Sequence, residues 1–537
     1  MSAQNGGIKM KYNITELDKE TLLECTQYKY RLYITDSKKN ILDMVEGVQS
    51  IGSYGINADS NPRRTSSFTL KLDYWYEDIE QKIANWLGLN FKLEIGMYNT
   101  RNADYLWYEC GYYLITEANT IYSSTENSLT LNVSDWWSRL DGTRNGQVGG
   151  APTITIPTID GLGNEVTLKD SMSTVITAQT DLKDIILSDV GEYKGMPENN
   201  SDYLAYRTLN PDWNKLPYDL EFNGGCTVSS MVEEIRDLYT NNQAYFDATG
   251  NFCFDMIPSC DNNPIVLDND YLQSILIGTG AESVTYDVSN IKNVTEVFGR
   301  TYDIDRLSTS CTSAATLYTI TLSDYDSYKS YDYISFTANS NNIAEMKIRV
   351  NSLDIMPIYY EGTTTYLDPD VILANEMYVV QLKKVNNVFV AYFLGQFQPH
   401  AVCVLTNNEN DTTFTKDYFK AKYNCDNIVF RVEDSQFAVQ KFTENLDYKS
   451  GDEFDNIESD SVAIENAIYY NKKSSSWSDT VTLTTKLIPF LDVHQKVSYK
   501  KQQESEIHQY IVKSIQHNLS GMTSSITLYR FYPLYYA

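Results

Sequence analysis

Between Gly224 and Arg300 the spacing of apolar residues switches from a helical to a strand period, which restricts the chain to folds that pack helix against sheet. Val228, Met231, Val232, Ile235, Leu238 and Tyr239 recur at helical spacing and share one face. Ser230 and Glu233 have capping-box spacing, which predicts a helix start near Ser230. QAYFDATGNFCFDMIP then reads as strand, turn, strand. Its turn is Ala248-Thr249-Gly250-Asn251, and Tyr245, Phe246, Phe252 and Phe254 pack the flanks. After a polar segment, VTYDVSNIKNVTEVFGR brings Val294, Val297 and Phe298 back to a sheet. The expectation is one packed α+β unit of helix, hairpin and returning strand, none of which needs a catalytic residue.

The flanking chain is richer in strands. After an N-terminal arm over residues 1–24, Tyr28, Tyr30, Leu32 and Ile34 fit one strand face, and Asp36 to Asn40 form a polar turn. NPRRTSSFTLKL leads into an alternating strand through Phe68, Leu70 and Leu72. In YWYEDIEQKIANWLG, Trp75, Ile79, Ile83 and Trp86 share a helical face, with Gly88 suited to the C-cap. Residues 25–140 are therefore expected to form a β-domain with one helix. Residues 141–217 are rich in Gly, Pro and Thr and read as an inserted, loop-rich segment. A short helix is predicted there in TDLKDIILSDV, with Leu182, Ile185 and Ile186 inward. Residues 218–300 carry the α+β unit, and 301–400 an inserted β-domain with a hairpin at Val385-Asn386-Asn387. Residues 401–537 form a C-terminal β-domain with one helix. Ser459 and Asp460 cap that helix, and Ala463, Ala467 and Tyr470 line its face. The aromatic tail Phe531, Tyr532, Leu534, Tyr535 and Tyr536 is expected to dock on this chain or a neighbour.

Composition excludes several classes. The 537 residues are too many for one core. The first twenty residues have no apolar signal region, and no apolar run approaches the ~20 residues of a membrane span. A soluble chain made in the cytoplasm is expected. Lys and Arg total 43 against 71 Asp and Glu, a net charge of −28 that argues against gripping a phosphate backbone. Such acidity serves solubility, or a wall past which nucleic acid slides without sticking. Tyrosine is over-used, at 43 residues, which suits strands and wide, wet contacts to subunits or to sugars.

No chemistry-bearing motif stands out. Cys25, Cys110, Cys226, Cys253, Cys260, Cys311, Cys403 and Cys425 form no C-x-x-C and read as reduced core or boundary residues. His400, His494, His508 and His517 match no zinc spacing and read as surface or strand positions. Asp324 and Asp326 begin a calcium-loop spacing that fails at Tyr328 and lacks the following glycine, so a solvated turn is expected. Gly278-Thr279-Gly280 lacks the third glycine of a dinucleotide loop. Arg63 and Arg64 invite an anion-site reading, but a surface pair answering local carboxylates is the expectation. Among 71 acids some close pairs arise by chance, so the count alone does not point to paired carboxylates for glycoside cleavage. The expected catalytic, cofactor-binding and metal residues are none, and no cofactor is expected.

An ordered series of stretches carries a resemblance. They are VEGVQSIGSYGINADSNPRRTSSFTLKL, then FKLEIGMY with YLWYECGYYLITEA, then TVSSMVEEIRDLYTNNQAYFDATGNFCFDMIP with SNIKNVTEVFGR. GQFQPHA, SDSVAIENAIYY, IPFLDVHQKVSY and SITLYRFYPLY follow in the same order, from about residue 28 to the end. With this order and coverage the chain resembles the baseplate hub, or tail-associated, proteins of tailed bacteriophages. The resemblance implies a β-rich α+β, multidomain fold: two β-barrel-like tube domains with inserted and appended α+β and β domains. It implies a homotrimer whose six barrel domains ring the DNA conduit and join a six-fold tail tube to a three-fold tip. The implied partners are the tube or distal tail protein, tip or fibre proteins, and genomic DNA in passage without specific binding. The implied location is the virion tail. Many relatives continue into a fibre or a peptidoglycan-cutting domain. This chain stops at Ala537 after the last hub strand, so no built-in hydrolase is expected. The alternatives are a carbohydrate-binding adhesin or receptor-binding tail protein, and a β-domain glycosidase.

Overall fold

The structure, a computed structural model, describes residues 14–530 apart from 26, 52–53, 58–62, 73–78, 124–126, 180–186, 189–214, 217–218, 239–241, 257–264, 279–280, 288–290, 302–309, 315, 324, 397, 452–453, 456 and 476–477. The described residues divide into two compact units. Residues 14–188, 215–286 and 478–530 make the first, and 287–475 the second. The β-rich, multidomain class expected from the alternating pattern is the class observed.

The first unit is organised by a fourteen-stranded sheet. Ile41–Met44, Tyr28–Thr35, Asn90–Asn99, Asp104–Tyr122, Asn127–Asp135, Arg63–Lys71 and Tyr54–Asn57 lie side by side in that order. Tyr54–Asn57 then pairs with His508–Asn518, where Ile56 opposes Ile515 and Gly55 opposes Gln516. Gly55 leaves room for that partner, since a Cβ there would lie 2.5 Å from Gln516 Oε1. Thr523–Tyr529, Ser478–Lys486 and Glu282–Asp287 complete the path. Among the described residues, no backbone pairing joins its two ends.

Two cores lie along this sheet. The first takes the buried members of alternating strands, among them Leu32, Phe68, Leu70, Phe91, Leu93, Tyr113, Leu129 and Leu131. Trp86, from the helix Ile79–Trp86, packs edge-on to Phe91 at 5.6 Å. The second core takes Leu267, Leu272, Ile275, Leu483, Phe490, Val497, Tyr510, Val512 and Leu528. Each such side chain contributes roughly 1.5–3 kcal/mol by leaving water. The helix Glu16–Glu24, capped reciprocally by Thr15 and Asp18, sends Leu22 into the second core. Part of what reads as an N-terminal arm is therefore a docked element.

Three local expectations are corrected here. The helix Val228–Asp237 starts before Ser230: Thr227 is its N-cap, and its side chain accepts from the Ser230 N–H. The Ser230 hydroxyl instead donates to the Thr227 carbonyl at 2.7 Å. The hairpin Asn242–Phe246 with Phe252–Met256 forms around the expected turn, but its third strand is Leu187–Ser188. Those two residues come from the stretch expected to be helical, and Leu182, Ile185 and Ile186 lie outside the described residues. The returning strand Val294–Phe298 does not join the helix and hairpin. It pairs with His400–Thr406 on one side and Leu446–Lys449 on the other, in the second unit. Its burial on both faces called for a central position in a sheet, which two later strands provide.

In the second unit, Ile428–Val432, His400–Thr406, Val294–Phe298 and Leu446–Lys449 form that four-stranded sheet, with the helix Asp460–Ser474 packed on it. A seven-stranded sheet spans Ser310–Ala314 to Val388–Gln396. Its expected hairpin joins Met377–Val385 to Val388–Gln396 through Asn386 and Asn387, both at positive φ (49° and 64°), the geometry of a type I′ turn. Near the sheet's two end strands, Ser340 Oγ donates to Ser313 Oγ at 2.8 Å, and the Tyr318 hydroxyl to the Ser340 carbonyl at 2.7 Å. No helix among the described residues is long and apolar enough to cross a membrane.

Candidate functional site

Two polar clusters interrupt the apolar cores. The first lies in the fourteen-stranded sheet. Strand alternation turns Arg64, Ser66, Phe68 and Leu70 inward together, so Arg64 is carried into the core by its neighbours. Its guanidinium, 1% exposed, donates to both carboxylate oxygens of Asp492, at 3.0 and 2.8 Å. Its backbone N–H donates to Asp135 Oδ2 at 2.8 Å, and Asp135 also accepts from the Trp137 N–H at 3.2 Å. Burial pushes the Asp135 carboxyl upward, while Arg63 and Arg64 pull against it. Arg63 lies over the Trp137 ring at 3.4 Å, with Glu233 at 3.8 Å, and burial lowers its pKa to about 10. The expected surface pair is corrected. Arg64 is a core residue, and the carboxylate it holds stands 428 positions away. Local charge spacing carries no trace of such a partner.

The second cluster surrounds the start of the helix Asp460–Ser474. Ser459 Oγ accepts from the Val462 N–H at 3.3 Å and donates to Glu361 Oε2 at 2.6 Å; the Ser461 hydroxyl donates to the same oxygen. Glu458 accepts from the Tyr333 hydroxyl at 2.6 Å, and Gln381 Nε2 donates to that hydroxyl at 3.0 Å. Asp460 accepts from the backbone N–H groups of Gln396 and His400, at 3.3 and 3.2 Å. Ser459 acts as the cap, as expected, while Asp460 is the first helical residue. Burial, and then the Glu361 charge, push the Glu458 carboxyl up to about 8. Burial raises Asp460 to about 6 against the bonds it accepts. A raised carboxyl can serve as a general acid, but Glu458 is 3% exposed and Tyr333 occupies its Oε2. The cluster ties the seven-stranded sheet to the helix start.

The remaining candidates sort by strand and turn. His400 is buried, stacked on Phe298 at 3.9 Å and bonded to Glu296 at 3.0 Å. His517 is buried on its strand beside Ser524 at 2.7 Å, and His508 begins the same strand. His494 sits in a turn at φ 61°, and burial pushes it down to about 4. Cys25, Cys110, Cys253, Cys403 and Cys425 are buried free thiols, while Cys226 and Cys311 are half-buried. Cys260, Asp324, Thr279, Gly280 and the tail from Phe531 lie outside the described residues; Asp326 is exposed. Among the described residues, no three His, Cys, Asp or Glu side chains are grouped to hold a metal.

A family described as a domain of unknown function (DUF5048) matches residues 434–535. No curated protein matches the chain. The solved structures it is similar to include phage tail and baseplate proteins and a Francisella PdpA-VgrG complex. A tail protein from Neisseria meningitidis MC58 is 9% identical with a TM-score of 0.43, over 94% of this chain and 98% of that one. The 43 kDa tail protein of prophage MuSo2 from Shewanella oneidensis is 10% identical with a TM-score of 0.39, over 94% and 98%. Prophage tail protein gp18 from Listeria monocytogenes EGD-e is 8% identical with a TM-score of 0.39, over 93% and 94%.

Proposed function

We propose that this chain is a structural hub of a phage tail or baseplate: a homotrimer that joins a six-fold tube to a three-fold tip and lines part of the DNA path. The observation that carries the reading is one sheet running over two cores, its halves joined by Tyr54–Asn57 pairing with His508–Asn518. A hub with two tube domains per chain needs two such cores at fixed spacing. On this reading residues 25–140 supply the first barrel-like tube domain. Residues from 218–300 lead into the second, 141–217 and 301–400 are insertions, and 401–537 complete the hub. The stretches that carry the resemblance, PRRT and IPFLDV, meet in the Arg64–Asp492 pair. The partners are then other tail proteins, and the place of action is the virion tail, after synthesis in the host cytoplasm. DNA passes without being held, which a net charge of −28 favours, since phosphate contacts need clustered cations.

Catalysis has no part in this reading: Glu458 is buried and bonded to Tyr333, and Asp460 is engaged by the backbone N–H groups of Gln396 and His400. Native mass spectrometry of the purified chain tests it. A species of three chains is expected, as heterologous contacts close into rings when the rotation fits. A stable ring of six whole chains, or a monomer in both the free and the assembled state, overturns it.

A further inference from the structure

Lys39 occupies a setting that a surface lysine does not need. It stands in the turn after Tyr28–Thr35 with φ 67°, a left-handed backbone that lysine seldom adopts. Its Nζ donates to Asn251 Oδ1 at 2.8 Å, across 212 positions of sequence. The buried rings of Tyr112 and Trp136 flank the amine, with centroids at 5.7 and 5.5 Å. Gly250, at φ 74°, keeps this space open. A Cβ there would come within 3.1 Å of the Tyr112 ring and 3.3 Å of Lys39 Cε. The other side of the Asn251 amide is also held. Asn251 Nδ2 donates to Thr249 Oγ1 at 2.9 Å, and that hydroxyl donates to Asp247 Oδ1 at 2.7 Å. Asp247 Oδ1 further accepts the Thr249 and Asn251 N–H groups, each at 2.9 Å, so hydrogen bonds close the turn around the amide.

We propose that Lys39 and Asn251 are the partners of an intramolecular isopeptide bond that staples the turn at residues 36–40 to the hairpin turn at 247–251. The neutral amine is the nucleophile. Nζ attacks Cγ of Asn251, the new C–N bond forms, the bond from Cγ to Nδ2 breaks, and ammonia leaves. The proton lost by Nζ is balanced by the one gained by Nδ2, and the Thr249 hydroxyl, backed by Asp247, is the proton-transfer group beside Nδ2. Nothing is oxidised or reduced and no co-reactant is needed. Burial favours the reacting form by pushing the Lys39 ammonium below its ordinary value, with Asp247, Glu109 and Cys253 opposing in part. Fixing amine and amide in contact supplies the proximity that two free side chains in water lack.

Intact-mass measurement of the folded chain, followed by peptide mapping, tests this. The expected mass lies about 17 Da, one ammonia, below that of the sequence, with a peptide joining residues 39 and 251. Lys39→Arg keeps a cation over the two rings but cannot form the bond, so it should run at its full sequence mass. Thr249→Val should accumulate the linked form more slowly. A folded wild-type chain at full mass, with Lys39 and Asn251 in separate peptides, overturns the proposal. A loss of the same mass without the 39–251 peptide overturns it too, because ring closure at another asparagine gives that loss.

Discussion

Arg64 shows most directly how a charge can be structural. Two carboxylate bonds at 3.0 and 2.8 Å compensate a guanidinium that is almost fully out of water. A buried pair of this kind adds little over a well-packed apolar substitute, but removing one member strands the other. Arg64→Ala is therefore expected to cost ~3–5 kcal/mol, read by urea unfolding of the first unit. Arg64→Met combined with Asp492→Leu should recover most of that loss. If the single and double variants were equally destabilised, the pairing would not be the source of the cost. The sequence displayed the arginine pair but not the partner. Arg63 and Arg64 point to opposite faces of one strand, and only the strand's position in the sheet decides which of them enters the apolar core.

Elements were legible where their own residues determine them. The alternation of Arg63–Lys71, the Asn386–Asn387 hairpin and the Ser459 cap all depend on neighbours within a few positions. The helix Val228–Asp237 begins one turn before the Ser230 start read from its capping-box spacing, because Thr227 caps it. Gly395 is an element-scale requirement that no pattern announces. It has φ 110°, near the end of Val388–Gln396, and a Cβ there would lie 1.9 Å from Asp460 Oδ2. Gly395→Ala should thus displace the Asp460 carboxylate from the Gln396 and His400 N–H groups. Backbone strain and lost bonds together are expected to cost about 2 kcal/mol or more in the second unit, measured by denaturant midpoint. An unchanged midpoint would show that the Asp460 contacts contribute nothing to stability.

For the whole molecule, the buried carboxyls of the second unit set a pH response. Glu458 faces Glu361 after Met356–Tyr360, Tyr333, Lys383 and, from beyond Val294–Phe298, Arg300. Its pKa rises from 4.5 to about 8, and that of Asp460 from 3.8 to about 6. The folded state therefore binds more protons than the unfolded state between those values, and stability falls as pH rises. The contribution is complete below the ordinary carboxylate range and is lost as pH passes about 6 for Asp460 and about 8 for Glu458. The slope is on the order of 1 kcal/mol per pH unit for each group within its window. Urea unfolding at pH 5 and pH 8 should show the second unit weaker at the higher pH, and Glu458→Gln should flatten the difference. A wild-type slope of the opposite sign, or one untouched by the substitution, counts against this assignment. The sequence by itself determined the β-rich class, most strand periods and the acidic surface, because these follow from side-chain alternation and composition. Tertiary structure alone decided that Val294–Phe298 leaves the hairpin for another sheet, that Arg64 finds Asp492, and that Lys39 meets Asn251. Those contacts join residues hundreds of positions apart, or one strand among many acceptable neighbours, and local periodicity is blind to which edge a strand will find.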